Sequence, residues 1–109
     1  MENMVILQDA GAPVTFGTDA GPAGRFPGYF EHMELALMVG GGLTPTQALL
    51  AATSVAASCL GLDDIGTLEP GKWADFIVLD EDPTRDITYT QLIDQVYVAG
   101  QPVRTKTEN

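Results

Sequence analysis

At Asp63-Asp64 the hydrophobic pattern of this chain changes period, which excludes an all-helical or all-strand fold. Before that point apolar residues recur at helical spacing. After it they fall in short continuous groups bounded by Gly, Pro and Asp, the pattern of strands joined by turns. A mixed α/β chain is expected, with its strongest helices before residue 63 and most of its strands after it.

The helical part predicts its own stops. Val5 to Ala10 reads as the last turns of a helix capped by Gly11. Ala12 to Phe16 is short and mostly apolar, suited to a strand buried in a parallel sheet. Gly17-Thr18-Asp19-Ala20-Gly21 leaves that strand at its C-terminal end, and a Gly- and Pro-rich loop runs on to Gly28. A helix over roughly Tyr29 to Val39 places Phe30, Met33 and Leu37 on one stripe, broadened by Leu35 and Met38. Gly40-Gly41-Gly42 ends it. In the next helix Thr44 suits the N-cap, Pro45 the first position, and Gln47 completes a capping box. Ala48, Ala52, Val55 and Cys59 share one stripe up to a stop at Gly61.

Beyond the switch, Ile65 to Leu68 is extended, Glu69-Pro70-Gly71-Lys72 is a turn, and Ala74 to Asp80 is a strand with a continuous apolar centre. Tyr89 to Ile93 suits a brief helical turn. Gln95 to Ala99 is another strand, with Gly100-Gln101 opening a tight hairpin into Val103 and a frayed tail from Thr105.

Charge narrows the partners. Fifteen acidic residues against five basic give a formal net charge of −10, which repels nucleic acid and anionic membranes; the same charge also serves solubility. Cys59 is the single cysteine, so no intramolecular disulfide forms, and its apolar surroundings point to an inert buried thiol. The first residues lack a signal peptide's basic start and apolar core, and no run approaches a membrane span of about 20 residues. A soluble, cytoplasmic chain is expected.

Asp19 is the first candidate for chemistry. A carboxylate at the C-terminal mouth of a buried parallel strand stands where barrel active sites assemble; the competing reading is a local cap of the loop that follows. Arg25, in the Gly- and Pro-rich loop, reads by itself as a surface charge. His32, alone on a helix, reads as solvated or hydrogen-bonded rather than as a metal ligand.

Two motifs in order, Val14-Thr15-Phe16-Gly17-Thr18-Asp19-Ala20-Gly21 and Gly66-Thr67-Leu68-Glu69-Pro70-Gly71-Lys72-Trp73-Ala74-Asp75-Phe76-Ile77-Val78-Leu79-Asp80, resemble the C-terminal end of metal-dependent amidohydrolases, in the imidazolonepropionase and prolidase-like branch. The resemblance runs from about residue 3 to residue 103. It implies that residues 1–62 are the last strand and C-terminal helices of a (β/α)₈ barrel, and residues 63–109 strands of a small β-sandwich. Trp73 would pack at the junction, and Phe76 to Leu79 would fill a core. It further implies that Asp19 both ligates a divalent metal, zinc first, and accepts a proton from the attacking water in C–N bond hydrolysis. Arg25, Phe26 and Tyr29 would border the substrate. At 109 residues the chain is far short of the about 250 of such a barrel. It also lacks the family's His-x-His pair, and neither Lys72 nor Lys106 stands at the end of a barrel strand. Isolated, it is expected to be inactive and to bind no catalytic metal. It would then work as a homo-oligomer, or with a separate barrel-forming polypeptide. The alternative is a non-catalytic oligomerising or binding module of the same descent.

Overall fold

The sequence stops its helices at the carbonyl end with unusual care. Gly61 adopts φ 69°; its N–H donates to the Ser58 carbonyl (3.1 Å) and Leu62 N–H to that of Ala57 (2.9 Å). That pair of bonds is a Schellman closure, satisfying carbonyls the helix leaves unpaired. Gly42 N–H to Val39 and Leu43 N–H to Met38 close an earlier helix in the same way.

The computed structural model describes residues 2–21, 23–24 and 26–105. Its elements are α1 (Glu2–Asp9), α2 (Phe30–Gly40), α3 (Pro45–Ala52), α4 (Ser54–Cys59), β1 (Phe76–Leu79), a 3₁₀ turn (Ile87–Gln91), β2 (Ile93–Val98) and β3 (Gln101–Thr105). The strands form one antiparallel sheet in the order β1-β2-β3. No helix among the described residues is long and apolar enough to cross a membrane.

The capping box at α3 is present in both directions. Gln47 N–H donates to Thr44 Oγ1 (3.1 Å), and Thr44 N–H donates to Gln47 Oε1 (2.9 Å). Thr44→Ala is expected to cost about 1 kcal/mol, read as a lower midpoint in urea denaturation with an unchanged slope.

The core lies where α2 crosses α3. Leu35 and Met38 of α2, Leu43, and Ala48 and Ala51 of α3 are buried together with Ile87. The two alanines let the helices approach closely, and Met4, Val14 and Phe16 pack against the cluster. Each fully buried Leu or Met contributes about 2 kcal/mol.

Several expectations need correction. The helix after Thr44 is not continuous: Thr53 breaks it at φ −125°, ψ −95°. Its hydroxyl donates to the Leu49 carbonyl (2.7 Å), a back-bond that bends helices. The break changes which face of α4 turns inward, so Ala57 is buried and Cys59 is exposed, not the buried thiol expected. On α2, Leu37 is 49% exposed and the buried stripe is Leu35–Met38.

Residues 12–16 join no ladder among the described residues. A parallel strand is defined by its neighbours, and here the Phe16 N–H donates instead to the Ala51 carbonyl of α3 (3.1 Å). The segment still alternates part-buried Ala12, Val14 and Phe16 with exposed Pro13 and Thr15, the two-residue period of extended chain. Residues 65–67 likewise form bends, and Leu68 joins no strand.

In the sheet, Phe76 to Leu79 forms the predicted strand but not a filled core: Ile77 is 54% and Val78 38% exposed. Phe76 stacks on Tyr97 at 4.5 Å between ring centroids. Trp73 is mostly exposed, and its Nε1–H donates to Asp64 Oδ2 (3.0 Å). The hairpin turns at Ala99-Gly100, with φ of 51° and 75°, as a type I′ turn requires. It is tied back to the start of β1, since Ala99 N–H donates to Asp75 Oδ1 (2.7 Å) and Gly100 N–H to the Ala74 carbonyl (2.9 Å).

Candidate functional site

Asp19 stands in a loop whose backbone is set by its neighbours. Ala20 N–H donates to Thr18 Oγ1 (3.1 Å), a local turn that brackets Asp19. Asp19 itself has φ 52°, a left-handed conformation uncommon outside glycine and several-fold enriched in Asp and Asn. Just upstream, the hydrogen bond from Phe16 to Ala51 anchors the loop to α3. The residue is exposed. The turn that carries it is fixed at its base.

Of the other predicted site residues, Arg25 lies outside the described residues. Phe26 and Tyr29 follow on the approach to α2 and are 69% and 61% exposed. Tyr29 packs edge-to-face on Phe30, with ring centroids 5.5 Å apart. Both aromatics thus offer apolar surface on the chain that follows Asp19.

His32 is half-buried, and its Nδ1 lies 2.9 Å from Thr90 Oγ1. Thr90 donates its one hydroxyl hydrogen to the Ile87 carbonyl (2.9 Å). His32 must therefore be the donor at Nδ1, which fixes that tautomer when the ring is neutral. This chain of bonds joins α2 to the 3₁₀ turn beside the sheet, and buried Thr90 is satisfied by it. His32 is held structurally, in keeping with the expectation of a hydrogen-bonded ring.

Local sequence signals did not reveal a groove between the helices and the sheet, about 680 Å³ in volume. Phe16, Leu35, Leu49, Phe76 and Val96 line its apolar walls, and Thr67, Asp75 and His32 supply polar groups. Its two sides meet through contacts such as His32–Thr90, 58 residues apart in sequence. Lys72, in the turn before β1, donates to Thr67 Oγ1 (2.7 Å) and lies 3.8 Å from Glu69.

A catalytic zinc wants about three protein ligands and a water. No group of three or more His, Cys, Asp or Glu side chains among the described residues could hold a metal ion. The described residues therefore do not make a metal centre by themselves.

The sequence profile of the amidohydrolase family matches residues 2–103. The chain is 49% identical to the imidazolonepropionase of Deinococcus deserti over 85 residues, 77% of this chain and 21% of that protein. Against the imidazolonepropionase of Deinococcus radiodurans it is 44% identical over 98 residues, 86% of this chain and 24% of the relative. Among solved structures, molinate hydrolase superposes with a TM-score of 0.83 at 31% identity, covering 94% of this chain and 26% of its own. A Xaa-Pro dipeptidase superposes with a TM-score of 0.81 at 29% identity, covering 94% and 25%. The chain spans about a quarter of the length of these proteins.

Proposed function

This chain belongs to the amidohydrolase family, and on that premise we propose that it supplies the C-terminal part of a metal-dependent hydrolase of C–N bonds in amides or cyclic amides. In this proposal residues 1–62 contribute the last barrel strand and its helices, and residues 63–109 contribute strands of the small sandwich. Asp19 carries the chemistry: an exposed carboxylate on a left-handed turn, in the motif Gly17-Thr18-Asp19, just beyond an extended apolar segment.

Its part is to accept a proton from the water that attacks the carbonyl. A divalent metal, zinc first, would lower that water's pKa, with Asp19 as one ligand. The remaining ligands would come from beyond the described residues, which hold no three-ligand group. Phe26 and Tyr29, with Arg25, would border the substrate, the aromatics as apolar wall and the guanidinium as a partner for a substrate carboxylate.

Purified alone, dialysed against zinc-containing buffer and assayed on N-acyl amino acids, dipeptides and cyclic amides, the chain is expected to give no turnover. Stoichiometric zinc together with turnover abolished by Asp19→Ala would overturn the requirement for further residues.

A further inference from the structure

In a continuous helix each carbonyl accepts the amide four residues further on. At the end of α3 three consecutive carbonyls have other donors. The Leu49 carbonyl takes the Thr53 hydroxyl (2.7 Å), the Leu50 carbonyl takes the Thr53 amide (3.2 Å), and the Ala51 carbonyl takes the Phe16 amide (3.1 Å). Thr53 makes the first two of these bonds itself. Its amide has moved on by one carbonyl, and its hydroxyl fills the place the amide left. With the Thr53 backbone at φ −125°, ψ −95°, Val55, the ordinary partner of Ala51, belongs to a separate helix, α4. The Ala51 carbonyl is thereby left for a donor from outside the helix. Ala51 is buried, where an unpaired carbonyl is costly, and the Phe16 amide satisfies it.

That bond fixes the chain just before Asp19. The Phe16 side chain packs against the core cluster, and beyond it Ala20 N–H closes on Thr18 Oγ1. Gly66 holds the break from its other side: a Cβ there would meet the Thr53 carbonyl oxygen at 3.0 Å and the Ala57 Cβ at 2.6 Å. The break is therefore packed in place. We propose that Thr53 is a positioning residue for the hydrolytic site: by breaking the helix it frees the Ala51 carbonyl to hold Phe16, and so sets where the Asp19 carboxylate stands. This inference rests on the hydrolase reading of Asp19 and adds a residue that acts only through the backbone. Small displacements of a reacting group are costly, about a hundredfold in rate for about 1 Å.

Two variants test it. Thr53→Val keeps the branched shape without the hydroxyl, and Thr53→Ser keeps the hydroxyl. In the full chain, isotope-labelled for NMR, Thr53→Val is expected to speed hydrogen exchange at the Phe16 amide about tenfold and to move the Asp19 carboxyl resonance. The Leu43 amide, bonded to the Met38 carbonyl in the same core, should keep its protection, which excludes general loosening. Thr53→Ser should keep Phe16 exchange and the Asp19 resonance as they are in the unmutated chain. The catalytic consequence is read in a chimaera, where the part of this chain matching the Deinococcus radiodurans imidazolonepropionase replaces the corresponding segment of that enzyme. There Thr53→Val should lower kcat about tenfold with KM within about twofold, and Thr53→Ser should restore it. Thr44→Ala, which weakens α3 at its other end, should leave kcat unchanged. An unmoved Phe16 exchange rate and Asp19 resonance in folded Thr53→Val would overturn the proposal. So would an unchanged kcat for Thr53→Val in a chimaera whose turnover Asp19→Asn abolishes. A chimaera whose turnover is indifferent to Asp19→Asn would instead remove the hydrolase reading of Asp19, and the role of Thr53 with it.

Discussion

Gly66→Ala is expected to destabilise the fold by about 3 kcal/mol or more. Gly66 has φ 89°, and an added Cβ would lie 2.6 Å from the Ala57 Cβ, 3.0 Å from the Thr53 carbonyl oxygen and 3.3 Å from the Ser54 Cα. Two of those atoms are backbone at the break between α3 and α4, where the chain has no flexible side chain to move aside. The left-handed strain and the overlap therefore add. Gly71→Ala isolates the first contribution, because Gly71 has φ 92° but nothing within 4 Å of the added Cβ; it should cost only about 1–2 kcal/mol. Urea denaturation of the two variants makes the comparison. A Gly66→Ala loss no greater than that of Gly71→Ala would show that the close approach of the 66 loop to α4 is wrong.

That approach illustrates what could and could not be read from the sequence. The α3 capping box, the Gly61 stop, β1 and the β2–β3 hairpin were legible because each is set by residues adjacent in the chain. The break at Thr53 was not, since a lone threonine in a helical pattern gives no sign of whether its hydroxyl turns back on the helix. The segment from Ala12 to Phe16 carries a strand's composition, but pairing depends on neighbours, and its Phe16 amide is taken by α3. Leu37 and Cys59 were misplaced for a related reason: periodicity finds an apolar stripe, while contact with other elements decides which side of it is covered. Asp19 was legible as a loop carboxylate from the glycines around it. The His32–Thr90 bond was not, because no local pattern links residues so far apart.

The largest effect on activity is expected at Asp19. Consider a graft in which the part of this chain that matches the Deinococcus deserti imidazolonepropionase replaces the corresponding segment of that enzyme. In it, Asp19→Asn should lower kcat by about a thousandfold, the scale of losing a positioned general base. Asparagine is the informative substitution, because it also tolerates the left-handed backbone at φ 52° and removes only the basic, ligating oxygen. The melting temperature should barely move, since the residue is exposed. A loss within threefold, with the graft folded, would remove Asp19 from the chemistry. A fall in stability of about 1 kcal/mol without loss of turnover would mark it as a loop cap instead.

Turnover by the unmutated graft is the most direct measurement of whether this chain is the C-terminal part of such a hydrolase. The graft is expected to hydrolyse the Deinococcus deserti enzyme's own substrate, while this chain alone does not. A graft that folds, melts cooperatively and retains its metal, yet shows no turnover, would contradict the proposal.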